Sequence, residues 1–114
     1  MHELSLISSV VDTLHEFFKT HPVQKVYSVT LSVGTVSGIV PHYLTDAWQW
    51  FTKNDDLFKD SKLKIEPVHA YTSCLDCGEV YDTIQYAKIC PKCGSEHTVL
   101  KQGNELLIKE IEAE

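Results

Sequence analysis

Four cysteines in two close pairs are the feature that most constrains how this chain can fold. The two C-x2-C pairs are separated by the twelve residues 78–89: Cys74 and Cys77, then Cys90 and Cys93. Each pair places two thiols on one tight turn, and two such turns facing each other offer four sulfur ligands in the tetrahedral geometry that zinc prefers. Glycine follows each pair and suits such a turn because it adopts positive φ without strain. The spacing therefore predicts a zinc site with four cysteine ligands.

Two other interpretations of the cysteines fit less well. A disulfide framework requires an oxidising compartment, and a thioredoxin-like redox site uses one C-x-x-C pair rather than two facing pairs. Four sulfurs fill a tetrahedral shell and leave no position for water, so the predicted zinc is structural and not catalytic. Zinc binding would supply the folding energy of a segment too small to bury a core of its own.

The rest of the chain shows the patterns of helices and strands. Apolar residues recur at steps of three and four over residues 4–18 and again after Pro41, which predicts two amphipathic helices. Alternation with period two predicts a strand over 26–33, with one apolar face and with Ser28, Thr30 and Ser32 on the other face. Two further strands are expected at 63–71, which Pro67 interrupts, and at 105–111.

This order of elements favours an α+β fold. We expect a small three-stranded sheet packed with two helices and an inserted zinc-ribbon-like module that carries the four cysteines. Residues 1–70 together with 101–114 would form the α+β domain, and residues 71–100 the inserted zinc-binding domain. Short joints at 71–73 and 100–102 are expected to act as hinges.

Composition and missing motifs argue against nucleic-acid binding, a membrane span, secretion and enzymatic activity. The chain contains ten lysines, no arginine and sixteen acidic residues, for a net charge of −6. Nucleic-acid binding is not expected, because recognition of phosphates and guanine edges relies on guanidinium groups. No apolar run reaches about 18 residues, so no membrane span is expected. The start of the sequence lacks the features of a secretory signal, which favours a cytoplasmic location. Phosphate-loop, serine-nucleophile and metalloprotease motifs are absent, so the chain is predicted not to be an enzyme.

The first three residues form a candidate chelator. The α-amine of Met1, the backbone nitrogen of His2 and the His2 imidazole can close adjacent rings around one ion, and Glu3 can add its amide nitrogen or carboxylate. Nitrogen ligands in a plane suit Ni(II) or Cu(II). The alternative is an ordinary chain start, in which Glu3 simply suits the first turn of a helix.

Four other histidines are expected to lie at the surface or beside a joint. His15 falls on the polar stripe of the first helix, and His42 lies near the start of the second, so both are expected at the solvated surface. His97 follows the second cysteine pair by four residues and is expected on the surface of the module, although it could reach the candidate chelator of the first three residues if the domains fold together. His69 lies beside a joint, where protonation could alter domain orientation.

Several segments together resemble one known family. They are residues 1–5 (Met-His-Glu-Leu-Ser), 37–41 (Ser-Gly-Ile-Val-Pro), the two C-x2-C pairs, and 105–108 (Glu-Leu-Leu-Ile) with Ile111. In this combination and order the sequence is similar to the HypA family of nickel-hydrogenase maturation factors.

The resemblance implies a nickel metallochaperone. In that case Met1, His2 and Glu3 hold Ni(II), the four cysteines hold structural zinc, and a HypB-type GTPase helps to deliver nickel to the hydrogenase large subunit. It also implies urease as a second client in some organisms, and a monomer or a homodimer. The alternative is a zinc-ribbon adapter that binds a protein partner without transferring nickel.

Overall fold

The computed structural model describes residues 3–114. Its helices and strands follow one another in the order α1 (Glu3–Thr20), β1 (Val26–Gly34), α2 (Pro41–Thr52), β2 (Lys62–Val68), β3 (Tyr71–Cys74), β4 (Val80–Asp82), α3 (Thr83–Tyr86), β5 (Thr98–Gln102) and β6 (Leu106–Ala113). Helix α1 ends before Pro22, and α2 starts at Pro41, because proline disfavours helix in the residue before it but fits the first helical turn.

The strands form two three-stranded sheets. One has the order β2-β1-β6, and the other has the order β4-β3-β5. Together with the two long helices, these sheets confirm the predicted α+β class, with its small three-stranded sheet and its zinc-ribbon-like module of four cysteines.

The described chain divides into two compact units. The first contains the residues up to Ser32, Ile39–Glu66 and Leu107–Glu114, and the second contains Val33–Gly38 and Pro67–Leu106. The assignment of 1–70 with 101–114 to a nickel-binding domain, and of 71–100 to a zinc-binding domain, stays a prediction.

In the first unit, apolar faces of α1, α2 and β1 form the core. Its fully or almost fully buried side chains include Ile7, Leu14, Val29, Leu31, Leu44, Trp48 and Phe58. The rings of Trp48 and Phe58 meet edge to face with centroids 5.6 Å apart. The indole N–H of Trp48 donates to Ser61 Oγ at 2.9 Å, so the polar atom of this buried ring is satisfied.

Strand β1 is buried on more positions than its alternation suggests. Ser28 and Thr30, on the face that the pattern marks as polar, are both buried, because β1 is the central strand between β2 and β6. The Ser28 hydroxyl donates to Glu112 Oε1 at 2.6 Å, and Lys64 Nζ lies 2.7 Å from the same oxygen. Long charged side chains therefore cover the serine and satisfy its hydroxyl.

In the second unit, β3 is the central strand and pairs antiparallel with β4 and β5. The predicted strand over 63–71 is in fact two strands, because β2 ends at Val68 and β3 begins at Tyr71. The prediction that 71–73 and 100–102 act as hinges is wrong. Both segments consist of strand residues, and Tyr71 pairs with Gln102 and Thr72 with Leu100 within the sheet. Backbone hydrogen bonds hold these residues in place.

The end of β1 and the turn after it, Val33–Gly38, also belong to the second unit. Backbone N–H groups of this segment donate to Pro67–Leu106: Gly34 to Glu105 O at 2.8 Å, Thr35 to Val68 O at 3.0 Å, and Val36 to Gly103 O at 2.8 Å. The backbones approach so closely that a Cβ atom on Gly34 would lie 2.0 Å from Gly103 O. Glycine is therefore required at position 34.

Candidate metal centre

The second unit brings the four cysteines together in one cluster. Their sulfur atoms all lie within 4.8 Å of one another, and among residues 3–114 no other group of three or more His, Cys, Asp or Glu side chains is arranged to hold an ion. Cys74 ends strand β3, Cys77 lies on the turn that follows it, and Cys90 and Cys93 lie on a second turn before β5. The sequence spacing thus correctly indicated which side chains converge.

Both cysteine turns have the same backbone geometry. In each, the glycine amide donates to the carbonyl of the first cysteine, from Gly78 to Cys74 at 3.0 Å and from Gly94 to Cys90 at 2.8 Å. The two glycines have φ angles of 79° and 73°, a region that a side chain would strain. Each turn can therefore direct two sulfurs to the same side.

The distances between sulfurs fit a tetrahedral metal site. Cys74 Sγ lies 3.6 Å from Cys93 Sγ, and Cys77 Sγ lies 3.6 Å from Cys90 Sγ. A disulfide would be about 2.05 Å long, so these are four free thiols. A tetrahedron with zinc–sulfur distances of about 2.3 Å has edges of about 3.8 Å. The donor set and its spacing thus fit zinc.

The thiols influence one another's ionisation. Backbone N–H groups, that of Cys77 most strongly, lower the pKa of Cys74 to about 7. The Ser95 amide lowers the pKa of Cys93, but desolvation and the neighbouring sulfurs outweigh it and raise that pKa to about 12. The Glu79 amide lowers the pKa of Cys77, but desolvation and neighbouring sulfurs outweigh it and raise that pKa. A thiolate therefore forms readily at Cys74, and further thiolates at Cys77 and Cys93 are opposed. A divalent cation among the sulfurs would offset that repulsion.

Two of the cysteines are also core residues of the second unit. Cys74 and Cys90 are 2% and 1% exposed and form a buried cluster with Tyr81, whereas Cys77 and Cys93 are exposed. Little other hydrocarbon is buried with them. The packing of this unit therefore depends on the same atoms that would bind a metal.

His97 lies on the surface beside the cysteine turns. Its side chain is 79% exposed, and its Nδ1 atom lies 3.3 Å from Asp76 Oδ2. The Ser95 hydroxyl also donates to Asp76, and this bond, followed by the contact with His97, lowers the pKa of the Asp76 carboxyl. In this arrangement His97 pairs with a carboxylate and is not among the clustered sulfur ligands.

The predicted nickel ligands fall mostly outside the described residues. Met1 and His2 precede the first described residue, and Glu3 is the first residue of α1. The N-terminal site therefore stays a prediction from the sequence.

Comparison with known proteins identifies the family. The model of the family described as "Hydrogenase/urease nickel incorporation, metallochaperone, hypA" matches residues 1–113. The chain belongs to the HypA family. Hydrogenase maturation factors HypA from Acidithiobacillus ferrooxidans and Geobacter metallireducens are 35% and 34% identical to it, with complete coverage of both chains. The solution structure of the Ni metallochaperone HypA from Helicobacter pylori aligns with a TM-score of 0.75 and 27% identity, over 99% of this chain and 97% of that one.

Membership of the HypA family confirms three predictions made from the sequence. The chain is a member of a family of metallochaperones for hydrogenase maturation and is not an enzyme. The family and its role in nickel incorporation were expected from the resemblance, and the non-enzymatic class was expected because phosphate-loop, serine-nucleophile and metalloprotease motifs are absent. Within residues 3–114 no helix is both long enough and apolar enough to span a bilayer.

Two histidine contacts in this HypA-family structure were not predicted. His15 Nε2 lies 2.8 Å from Asp55 Oδ2, and the His15 ring meets Phe58 edge to face, so this side chain is half-buried and not simply solvated. His69 Nε2 lies 3.0 Å from Asp82 Oδ2 and lowers the pKa of that carboxyl. No local sequence pattern marks either partner, because each lies on a different element.

Proposed function

We propose that this chain binds Ni(II) at its N-terminus and delivers it to the large subunit of [NiFe]-hydrogenase together with a HypB-type GTPase. The observation that supports the proposal is the family match, which spans residues 1–113 and so includes the start of the chain. Urease is proposed as a second client, in line with the family description. A cytoplasmic location is proposed with it.

The first three residues have the chemistry that a nickel carrier needs. Met1 would contribute its α-amine, His2 its backbone nitrogen and imidazole, and Glu3 its amide nitrogen or carboxylate. An α-amine has an unperturbed pKa of about 7.7 to 8, so part of it is free at neutral pH and nickel binding displaces the remaining protons. A terminal site with few supporting side chains suits a carrier, because the cargo must also be released.

The four cysteines are proposed to hold structural zinc. The supporting observations are the sulfur–sulfur distances of 3.6 Å and the four-sulfur donor set. When bound, zinc would cross-link the two cysteine turns and would activate no water. The first unit would then carry the nickel site and the second unit the zinc site, in a monomer or a homodimer.

A titration with three forms of the protein tests the nickel site. The native chain, a form with one residue added before Met1, and His2→Ala are each titrated with Ni(II), and His42→Ala serves as a control at an exposed histidine. Both altered N-termini should lose high-affinity binding, while the control retains it. One-to-one binding of unchanged affinity in both altered forms would rule out the N-terminal site.

Metal analysis tests the zinc site independently. Mass spectrometry of the untagged protein under native conditions should find one zinc per chain, and one nickel more after Ni(II) is added. Cys74→Ser should lose the zinc and retain nickel binding at Met1 and His2. A chain that is isolated without zinc and folds in the same way without it would contradict the proposed structural zinc site.

Delivery requires a test with the partners. Nickel transfer to purified hydrogenase large subunit, with and without a HypB-type GTPase and GTP, should depend on His2. If the chain binds these partners equally well with no dependence on nickel, the alternative of a zinc-ribbon adapter is favoured.

A further inference from the structure

We propose that the four-cysteine cluster is a peroxide-responsive site, in which oxidation replaces the metal with two disulfides that cross between the turns, Cys74–Cys93 and Cys77–Cys90. This inference goes beyond the proposed carrier function. It rests on the zinc occupancy proposed above, and the experiment below measures that occupancy before any oxidant is added.

Two sulfur–sulfur contacts between the cysteine turns point to this pairing. Each of the two contacts at 3.6 Å joins a cysteine of the first turn to one of the second, and all four sulfurs lie within 4.8 Å of one another. A disulfide requires the sulfurs to approach to about 2.05 Å. Closing either crossed pair therefore requires its sulfurs to approach by about 1.6 Å.

The two cysteines of each crossed pair differ in solvent exposure, and this difference assigns them different roles in the oxidation. Cys77 and Cys93 are exposed, whereas Cys74 and Cys90 are buried, so each crossed pair contains one exposed and one buried sulfur-bearing residue. Oxidant from solution reaches the exposed member first. The buried member then lies in position to attack the oxidised sulfur.

The chemistry balances with hydrogen peroxide as the oxidant. The exposed thiolate attacks one peroxide oxygen, the O–O bond breaks, and a sulfenic acid and one hydroxide form. The buried thiolate then attacks that sulfur, the S–O bond breaks, and a disulfide and a second hydroxide form. For the whole cluster, four thiolates and two peroxides give two disulfides and four hydroxides. The oxidised sulfurs no longer provide thiolate ligands, so Zn2+ is released.

The product preserves the connection that the metal provides. Both disulfides join the same two turns, and the buried residues Cys74 and Cys90 stay beside Tyr81. The second unit would therefore exchange one cross-link for another and not unfold. A thiol reductant and fresh zinc should reverse the exchange.

Peptide mapping tests the pairing in the wild-type chain, so no variant has to fold. Zinc content is measured first, the zinc-loaded protein is treated with hydrogen peroxide, and it is digested with trypsin and a protease that cleaves before aspartate. Cleavage after Lys64, Lys88, Lys92 and Lys101 and before Asp76 and Asp82 puts each cysteine on its own peptide: 65–75, 76–81, 89–92 and 93–101.

The expected masses join 65–75 to 93–101 and 76–81 to 89–92, with one zinc released into a chromogenic chelator for every two disulfides. Joining 65–75 to 76–81, or 65–75 to 89–92, would overturn the pairing. Zinc retained after two equivalents of peroxide would overturn the proposed peroxide response of the cluster.

The order of oxidation is tested separately with dimedone, which traps sulfenic acids. Adducts are expected on the peptides that contain Cys77 and Cys93, and adducts on those of Cys74 and Cys90 instead would overturn the assigned roles. A chain found without zinc at the first step would refute the proposed zinc site and not the pairing of the thiols.

Discussion

The Nε2 atom of His15 lies 2.8 Å from Asp55 Oδ2, and the other oxygen of that carboxylate accepts the backbone N–H groups of Leu57 at 2.9 Å and Phe58 at 3.2 Å. One side chain therefore joins helix α1 to the loop after α2 and fixes the backbone that carries Phe58. Since Phe58 is fully buried, this loop positions part of the core of the first unit.

Replacing Asp55 with alanine should destabilise the chain by about 2 kcal/mol, because charge-assisted hydrogen bonds to two amides and an imidazole are lost together. Urea unfolding measures the change. Asp56→Ala, an exposed aspartate one residue away, is the matched control and should stay within about 0.5 kcal/mol of wild type. Equal effects of the two substitutions would show that the carboxylate of Asp55 has no special role.

Two tryptophans two residues apart should respond very differently to truncation. Trp48 is 1% exposed and Trp50 is 60% exposed, on opposite sides of α2. Trp48→Ala should cost about 3 to 5 kcal/mol, since it leaves a cavity against Phe58. Trp50→Ala should change stability by less than about 0.5 kcal/mol. Unfolding followed by far-ultraviolet circular dichroism avoids the loss of the fluorescent reporter, and a large effect of Trp50→Ala would indicate an unrecognised contact.

A methyl group at Gly103 should destabilise the chain. Gly103 has a φ of +118°, and an added Cβ would lie 2.4 Å from the Cβ of Ala70. Overpacking and backbone strain together should cost at least about 2 kcal/mol in Gly103→Ala. Gly38 also has positive φ, but its Cβ position is open, so Gly38→Ala isolates the backbone term of about 1 kcal/mol. Urea unfolding of the two metal-loaded variants compares them, and equal stabilities would contradict the close approach to Ala70.

Protonation of Asp82 should reveal its contact with His69. Hydrogen bonding from His69, aided by the amide of Ile84, lowers the pKa of the Asp82 carboxyl below its ordinary value. A depressed pKa means that this carboxylate stabilises the fold above the unfolded pKa of about 3.9, and that the stabilisation is lost as pH falls through the folded pKa.

A carboxyl titration by NMR checks this directly. The midpoint for Asp82 should lie below about 3.9 in the wild type and rise in His69→Gln. His42→Gln removes an exposed histidine elsewhere and should leave the midpoint where it was. A midpoint that does not move in His69→Gln would place the cause elsewhere.

The features that were predictable from the sequence are the ones encoded locally. The cysteine pairs carry their ligand spacing within four residues each, and the helices carry their apolar stripes, so the sequence alone indicated both. The partner of His15 lies forty residues further along the chain, and no local pattern specifies it. Ser28 looked solvent-facing by alternation, but its position in a central strand buries it. Tyr71 looked like part of a joint because its pairing with Gln102 depends on a long-range register.

The segment 33–38 limits which stretches of chain can be exchanged between relatives of this protein. Its N–H groups complete the second unit although it lies far from the cysteines in sequence. The second unit therefore consists of two separate stretches of chain and cannot be excised as one continuous segment. A graft of 67–106 alone would carry the acceptors at Val68, Gly103 and Glu105 but leave behind their donors at 34–36. A functional chimera must therefore take 33–38 and 67–106 from the same relative. Sequence changes in one stretch must be compatible with the other.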